Sequence, residues 1–363
     1  MTDLRVLITG GAGFIGSAIG DKLKENYLAD VIAVDSLLPQ VHPSGEPPPE
    51  FSPKVKLFRN DVRDGAAWRK LFEDYDPEYI FHLAAETGTA QSLTESTRHT
   101  SVNVVGTSEM LDALIATGRR PKRILLSSSR SIYGEGAWRG QDGVNFYPGR
   151  RGHAQLARKE WDFRTQAGEI ATPAPHKADV VFPNPSSIYG STKLAQEHVL
   201  ACWCDAYEIP LSILRFQNVY GPGQSPFNPY TGIINIFHRI AYNGRPIDIY
   251  EDGNIGRDFV FIDDVVSSCI SALLGRGADN CVTMADIGTG QVTTIADAAH
   301  IIAKIHGAPT PITSGKFRDG DIRWAVADTT AMRNGLGVEP TVMFEQGAAI
   351  VGKWLADNGY LAE

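Results

Sequence analysis

The sequence has few cysteines and no long apolar run, and these absences narrow the class of protein. Four of the 363 residues are cysteines, namely Cys202, Cys204, Cys269 and Cys281, too few for a disulfide framework. Cys202 and Cys204 form a C-x-C pair in a predicted helix, without a second ligand pair at metal spacing. We therefore expect buried thiols and no metal site. No apolar run is long enough to span a bilayer.

A signal peptide and an excess of basic residues are also missing. An apolar strand is predicted within a few residues of the N-terminus, which leaves no room for a signal sequence. The net charge is −8, and no basic stripe indicates binding to a nucleic-acid backbone. We expect a cytoplasmic protein that binds neither membranes nor nucleic acids.

Apolar runs alternate with segments of helical period through the first two-thirds of the chain. Candidate strands span residues 4–9, 31–35, 55–58, 79–83, 123–127 and 211–216, and candidate helices include 14–26 and 107–117. This order predicts an α/β fold, a Rossmann-type doubly wound parallel sheet covered on both faces. We expect an NAD-binding domain over 1–216 and a smaller α/β substrate domain over 217–363, with some segments returning to the first domain.

Two segments are predicted to be loops. Residues 39–53 include six prolines, which exclude a helix or a central strand and indicate a surface loop. A second segment, about 135–185, is rich in Gly, Pro and Arg with aromatic residues among them. Loops of that length in a compact domain are usually functional or disordered, and the aromatic residues favour order.

A glycine motif follows the first candidate strand and opens the first helix. It reads Gly10-Gly11-Ala12-Gly13-Phe14-Ile15-Gly16. Gly10 would permit a tight turn, Gly13 the approach of a pyrophosphate, and Gly16 close packing of helix on strand. The N-terminus of the helix would present free N–H groups to the phosphates. Alone the motif could be an ordinary turn, but in this context it predicts a dinucleotide site.

Two carboxylates are placed to contact the adenosine half of a dinucleotide. Asp35 ends the second strand, where it can accept hydrogen bonds from ribose hydroxyls and would repel a 2′-phosphate. Because residues 36–53 contain no Arg or Lys, NAD is favoured over NADP. Asp61 is placed to meet the adenine edge or to cap a helix over 66–72, and the two roles are compatible.

A tyrosine and a lysine one helical turn apart form the candidate chemical site. Tyr189 and Lys193 are spaced i and i+4, so they share one helix face. A phenol has a pKa of about 10, but an ammonium and an oxidised nicotinamide nearby would lower that pKa. Tyr189 could then take a proton from a sugar hydroxyl while hydride leaves the same carbon. Ser129, at the end of the fifth strand, could bridge the phenol and the substrate oxygen.

Singly, these residues could be a surface pair and a polar strand end, but together they resemble the extended short-chain dehydrogenases. Within that group the chain resembles the NAD-dependent nucleotide-sugar epimerase/dehydratase family over nearly its whole length. The motifs are residues 9–16, His82-Leu83-Ala84-Ala85, Asn103 with Gly106-Thr107, 127–134, the Tyr189/Lys193 pair, 214–222, 257–259 and 318–321. The resemblance implies bound NAD, a nucleotide-sugar substrate and a homodimer formed through a helix bundle.

The resemblance also implies roles for individual residues. The implied catalytic residues are Ser129, Tyr189 and Lys193. The implied cofactor-binding residues are Gly10, Gly13, Phe14, Ile15, Gly16, Asp35, Asp61, Val62, Leu83, Ala84, Ala85, Asn103, Tyr189 and Lys193. The implied substrate-binding residues are Ser129, Asn218, Arg257 and Arg318, of which the arginines suit a diphosphate. An alternative for the two arginines is structural ion pairing with Asp263, Asp264 or Asp321.

One difference from the family's motifs distinguishes between the reactions that its members catalyse. Sugar 4,6-dehydratases carry an Asp-Glu pair directly after the catalytic hydroxyl, and the decarboxylases carry a Glu in that stretch. Here Arg130 and Ser131 occupy those places, and the stretch after Ser129 contains no Glu before Glu135. The resemblance therefore favours 4-epimerisation, by oxidation at C4 and return of the hydride to the other face. Residues 127–136, the long insertion after them, and residues 217–225 with 228–232 look most like dTDP-L-rhamnose 4-epimerases, and the chain as a whole is similar to those and to UDP-glucose 4-epimerases.

Several alternatives stay open at this point. A keto-sugar reductase or a 4,6-dehydratase could use the same scaffold, and a non-catalytic NAD-binding regulator belongs to another class. The long insertion could be a lid or wall near the sugar pocket, because it lies between the Ser129 strand and Tyr189. It could equally be a peripheral dimer contact or a disordered loop. The cysteine pairs that often occur in the insertion of dTDP-L-rhamnose 4-epimerases are missing here, so the sugar and its nucleotide, dTDP or UDP, are left open.

Overall fold

A computed structural model of the chain describes residues 4–228, 232–273 and 282–362. The helices are α1 (Phe14–Asn26), α2 (Gly65–Asp74), α3 (Ser96–Thr100), α4 (Gly106–Ala116), α5 (His153–Ala157), α6 (Ile188–Ala206), α7 (Ile233–Tyr242), α8 (Ile262–Leu273), α9 (Ile295–His306) and α10 (Phe344–Asp357). The longer strands are β1 (Leu4–Thr9), β2 (Ala29–Asp35), β3 (Lys56–Arg59), β4 (Tyr79–His82), β5 (Arg123–Ser129), β9 (Leu211–Phe216) and β14 (Val282–Ile287). The shorter strands are β6 (Trp138–Arg139), β7 (Asn145–Phe146), β8 (Thr172–Pro173), β10 (Asn218–Tyr220), β11 (Asp248–Ile249), β12 (Gly256–Arg257), β13 (Phe259–Phe261), β15 (Thr293–Thr294), β16 (Ile312–Thr313) and β17 (Trp324–Ala325).

A seven-stranded parallel sheet forms the centre of the molecule, in the order β14-β9-β5-β4-β1-β2-β3. Val6, Leu7 and Ile8 of β1 are fully buried, as expected for a strand that helices cover on both faces. The strand order reverses beside β1, where open α/β sheets bind their ligands. The sheet confirms the Rossmann-type fold, and β14, from the C-terminal part, completes it.

Most element boundaries lie within two residues of the expected ones. β5 differs in a useful way, because it continues through Ser128 and Ser129 instead of ending at Ser127. Both extra residues pair with β9, Ser129 opposite Phe216. Sheet pairing therefore extends this strand through residues whose polarity alone indicates a strand end.

The remaining C-terminal segments form short sheets beside the main one. β10 pairs with β13, β11 with β16, and β12 lies between β15 and β17. Helices α7, α9 and α10 pack together around them, while α8 packs against α1 of the first domain. None of the described helices is long and apolar enough to cross a bilayer.

The predicted loops and thiols have mixed outcomes. Residues 39–53 contain neither helix nor strand, as predicted. The 135–185 segment is an ordered insertion with the small sheet β7-β6-β8 and helix α5.

Cys204 and Cys269 are buried, but Cys202 is exposed on α6, so the expectation of a buried thiol is wrong there. Cys281 lies outside the described residues.

Candidate functional site

A cavity of about 1480 Å³ opens along the carboxyl edge of the main sheet. Its first side consists of the ends of β1, β2, β4 and β5 with the start of α6, and its second side comes from C-terminal segments. All predicted site residues except Asn103 line this cavity. We call the part around the glycine motif the cofactor wall, and the part formed by Arg130, Asn218, Arg257, Arg318 and Asp321 the substrate wall.

The glycine motif of the cofactor wall leaves no room for side chains. Gly10 has φ +66°, and a Cβ there would lie 2.9 Å from the Ala84 nitrogen. A Cβ on Gly16 would lie 2.3 Å from the Gly10 carbonyl oxygen. Gly13 is the N-cap of α1 and provides no side-chain cap, so the first-turn N–H groups are open to a ligand. This cradle fits the pyrophosphate of a dinucleotide.

Asp35 stands beside that cradle with its carboxylate held by the backbone. One oxygen accepts a hydrogen bond from the Ala12 nitrogen at 3.0 Å and the other from the Leu37 nitrogen at 2.9 Å. The group lines the cavity, and each carboxylate oxygen can accept a further hydrogen bond. This arrangement fits a ribose diol better than a 2′-phosphate, which the charge would repel.

Asp61 lies farther along the same wall and pairs with an arginine. Its carboxylate accepts hydrogen bonds from Arg63 at 2.6 and 2.9 Å, and this contact lowers the pKa of Asp61. The helix-cap alternative for Asp61 is wrong, because Asp64 caps α2 by accepting from the Ala67 nitrogen.

Asn103 takes a different place from the one expected. It is fully buried and is not among the residues that line the cavity. Its amide accepts from the Glu86 nitrogen at 2.8 Å and donates to the Thr192 hydroxyl at 2.9 Å. Asn103 thus connects the end of β4 to α6 from behind the cofactor wall.

Ser129, Tyr189 and Lys193 meet where the two walls join, and all three are buried. Helix α6 begins just before Tyr189, because Ser187 caps it by accepting from the Gly190 nitrogen. Burial raises the pKa of Tyr189, while hydrogen bonding from Ser129 and the positive charge of Arg130 act against that rise. Burial lowers the pKa of Lys193 to about 7.

Arg130 also lines the cavity. From the sequence it was noted only because an acidic residue is absent at this position. Its Nε donates to Asn218 Oδ1 at 2.9 Å, while its Nη1 is buried without a hydrogen-bond partner among the described residues. Burial and the neighbouring Arg257 lower its pKa to about 9. A cation therefore stands where an eliminating enzyme would need a carboxyl group.

The two predicted diphosphate arginines form no salt bridge with the described residues. Arg257 donates to the carbonyl oxygens of Gly256 and Ile322 at 2.8 and 2.7 Å. Arg318 lies over the Tyr250 ring, 5.0 Å from its centre. Burial lowers the pKa of Arg257 and the charge of Asp321 acts against that change, so electrostatic pairing with Asp321 stays an alternative for Arg257.

The insertion at 135–185 supports the substrate wall from behind. None of its residues lines the cavity, so the insertion is not part of the cavity surface in this structure. Instead, Glu135 accepts from the Arg323 nitrogen at 2.8 Å. Arg151 donates to the Asp321 carbonyl at 2.8 Å and to Glu251 at 2.7 Å. The side chains of Glu135, Arg151 and Glu251 are at most 4% exposed.

The proline-rich loop is a part of the site that sequence reasoning missed. Its residues Val41, His42 and Glu50 line the cavity. Glu50 accepts from the indole nitrogen of Trp354 on α10 at 3.0 Å, which ties the loop to the C-terminal part. No local sequence signal predicts a contact between residues 304 positions apart.

Comparisons with known proteins agree with this geometry. The model of the NAD dependent epimerase/dehydratase family matches residues 6–150 and 165–280. The chain is 48% identical over 354 residues to the dTDP-L-rhamnose 4-epimerase of Burkholderia thailandensis, covering 98% of this chain and 95% of the relative. Among solved structures it is similar to the UDP-glucose 4-epimerase of Thermotoga maritima with UDP-glucose (30% identity, TM-score 0.77, 98% and 99% of the two chains). It is also similar to the UDP-glucose 4-epimerase of Thermus thermophilus in complex with NAD (25% identity, TM-score 0.74, 97% and 99%).

Proposed function

The chain belongs to the NAD-dependent epimerase/dehydratase family, and we propose that it interconverts the C4 epimers of a nucleotide-activated hexose. The observation that carries this proposal is the buried group of Ser129, Tyr189 and Lys193, which Arg130 adjoins in place of an acid. The proposed substrate is dTDP-L-rhamnose, because the 48% identical relative bears the name of that activity over nearly the full length of both chains.

In the proposed reaction Tyr189 moves the proton and Ser129 aligns the oxygen. Bound NAD would supply a hydride acceptor that returns the hydride within the same cycle. Tyr189, as the phenolate, takes the proton of the C4 hydroxyl and gives it back to the C4 oxygen when the hydride returns, while Ser129 donates to the Tyr189 oxygen and contacts the substrate oxygen. Lys193, as an ammonium, lowers the pKa of Tyr189 through its charge. No residue beside Ser129 could act as the acid for loss of water, because Arg130 and Ser131 follow it.

The substrate wall would hold the nucleotide diphosphate. Arg257 and Arg318 present cationic groups on the second side of the cavity, and guanidinium groups bind phosphate oxygens bidentately. The amide of Asn218 faces the same space and fixes Arg130. We assign to the insertion the role of keeping Arg257 in place, since it holds residues 321 and 323, which flank the carbonyl that Arg257 contacts.

We also propose a homodimer formed through α4 and α6. The two helices border a groove of about 540 Å³ lined by Leu111, Val199 and Trp203 together with Cys202. Apolar side chains that are exposed here, such as Tyr207 (37%), would be covered by a second copy. Light scattering should give twice the chain mass, and the mass should fall to that of one chain for Trp203→Glu.

The experiment that tests the activity is proton NMR of the purified enzyme in deuterated water without added cofactor. The substrates are dTDP-L-rhamnose, dTDP-glucose, UDP-glucose and UDP-N-acetylglucosamine. A C4 epimer of dTDP-L-rhamnose that carries no ring deuterium would support the proposal, because hydride would have returned internally. A keto product with solvent deuterium would contradict it, and so would turnover that requires added NADH.

A further inference from the structure

The amide of Gln196 binds the catalytic lysine one turn along α6. Lys193 Nζ donates to Gln196 Oε1 at 2.7 Å, and the two residues are 2% and 0% exposed. Among the described residues this is the one hydrogen bond of the ammonium, which has three donors. The buried carboxylate of Glu197, which is paired with Arg215, also acts on the ammonium and raises its pKa against the effect of burial. Since Lys193 also lines the cavity, two donors are left for the cofactor and the substrate side.

A buried hydrogen-bond network sets the orientation of this amide. Gln196 Nε2 donates to the Thr107 hydroxyl at 2.9 Å, and that hydroxyl donates to the Asn103 carbonyl at 2.6 Å. His82 Nε2 lies 2.8 Å from the same hydroxyl and 3.2 Å from Gln196 Nε2, so the imidazole ring closes the network around the amide. A flipped amide would direct its NH₂ group at the ammonium, where two donors would meet. The oxygen of Gln196 is therefore held toward Lys193.

The same network reaches the cofactor wall. Burial lowers the pKa of His82 to about 3, so its ring is neutral, and Nδ1 forms a hydrogen bond with the Thr9 hydroxyl at 2.9 Å. The Thr9 oxygen accepts in turn from the nitrogens of Leu83 and Ala84 at 3.1 and 3.0 Å. Every member is paired, which makes a buried network rigid. Lys193 is thereby connected to the strand end that the cofactor contacts.

We propose that Gln196 is a positioning residue, which holds the Lys193 ammonium with a neutral oxygen so that its charge acts on Tyr189 and the cofactor. A carboxylate at this position would bind the ammonium more strongly but would cancel its charge at the phenol. An apolar residue would leave the buried ammonium without this partner. The inference rests on the proposed function, in which Tyr189 and Lys193 act together.

Two substitutions test the proposal, and they should move the alkaline limb of the pH profile of kcat in opposite directions. Gln196→Met keeps the size and removes the acceptor. It should lower kcat about tenfold with KM within twofold, and it should move the alkaline limb to lower pH because the ammonium is less stabilised. Gln196→Glu should move both limbs to higher pH, because a carboxylate raises the pKa of the Lys193 ammonium and of the Tyr189 phenol. Gln346→Met, at an exposed position of α10, is the control and should match the unaltered enzyme.

A second measurement needs no substrate. NMR titration of ¹⁵Nζ-labelled lysines, with the Lys193 signal assigned by Lys193→Met, should give a lower pKa for Lys193 in Gln196→Met and a higher one in Gln196→Glu. An unchanged pKa of Lys193 in both variants would overturn the proposal. Equal losses of kcat with unmoved pH limbs would also overturn it, because they would indicate a packing role. If the unaltered enzyme epimerises no nucleotide sugar, the proposed function fails, while the titration still shows whether Gln196 holds the ammonium.

Discussion

The two walls of the cavity differ in the kind of group that they present to a ligand. The cofactor wall uses backbone groups and small residues from one turn, with Asp35 held by two backbone nitrogens. The substrate wall uses long cationic side chains from positions 130, 257 and 318. Its support is a set of buried ion pairs between the insertion and the C-terminal segments, such as Arg151 with Glu251.

This difference has an energetic reason. A glycine turn meets its ligand through groups that are correctly placed whenever the strand and helix form. Long cationic side chains have many rotamers, and burying them is costly unless opposing charges and carbonyls surround them. The substrate wall therefore needs partners from distant parts of the chain, whereas the cofactor wall needs few. Substitutions in the cofactor wall and in the substrate wall should therefore have different effects.

The largest effect is expected where the walls meet. Tyr189→Phe should reduce kcat by about 10³-fold, because the proton of the C4 hydroxyl loses its acceptor. Both walls keep their contacts, so the absorbance of co-purified NAD and the binding of the nucleotide sugar should be unchanged. A variant that loses bound NAD along with activity would show that Tyr189 holds the cofactor more than it moves a proton.

The next effect belongs to the cofactor wall. Gly16→Ala places a Cβ about 2.3 Å from the Gly10 carbonyl, and backbone atoms cannot move aside cheaply. We expect NAD affinity to fall about 100-fold, equivalent to about 2.7 kcal/mol, measured by calorimetry on protein stripped of cofactor. Gly152→Ala is the matched control, since a Cβ there meets nothing within 4 Å. Equal NAD affinity in both variants would contradict the tight-turn argument.

A smaller and different effect is expected in the substrate wall. Arg151→Met removes the contacts to the Asp321 carbonyl and to Glu251. We expect KM for the nucleotide sugar to rise about tenfold, or about 1.4 kcal/mol, with kcat within twofold and bound NAD unchanged. The melting temperature should fall as well, because Glu251 is left buried without this partner.

The control for Arg151 lies in the same insertion. Arg158→Met removes an exposed pair with Glu160 and should leave KM and melting temperature unchanged. Arg151→Lys should recover part of the affinity by restoring the charge. A loss of bound NAD in Arg151→Met would mean that the insertion supports both walls, and the contrast between them would fail.

The smallest effect concerns the specificity of the cofactor wall. Asp35→Asn removes the charge and keeps the size of the side chain, but its NH₂ group cannot accept one of the two backbone hydrogen bonds that the carboxylate accepts. NAD affinity should fall about fivefold, or about 1 kcal/mol, since the ribose loses a charge-assisted hydrogen bond. Binding of NADP should improve relative to NAD because the repulsion of a 2′-phosphate is relieved. An unchanged NADP-to-NAD ratio in calorimetry would show that Asp35 does not select the cofactor.

The roles of single residues were predictable to unequal degrees. Gly10, Asp35 and Tyr189 lie on the predicted elements and line the cavity, because each position follows from a strand end or a helix start. The prediction that Asp61 caps a helix was wrong, because the Asp64 side chain accepts the hydrogen bond from the Ala67 nitrogen three residues later. The role of Gln196 was not predicted, because a glutamine inside an amphipathic helix has no local sequence signature.

The sequence by itself determined the parallel sheet, the glycine cradle, the preference for NAD and the pairing of Tyr189 with Lys193. All of these depend on residues close in the chain, for which hydrophobic period and steric rules are sufficient. Only the tertiary structure decided that the proline-rich loop forms part of the cavity, that the insertion lies behind the substrate wall, and that Arg151 is paired with Glu251. Those outcomes depend on contacts between residues 100 or more positions apart, such as Arg151 with Glu251, which no local pattern encodes.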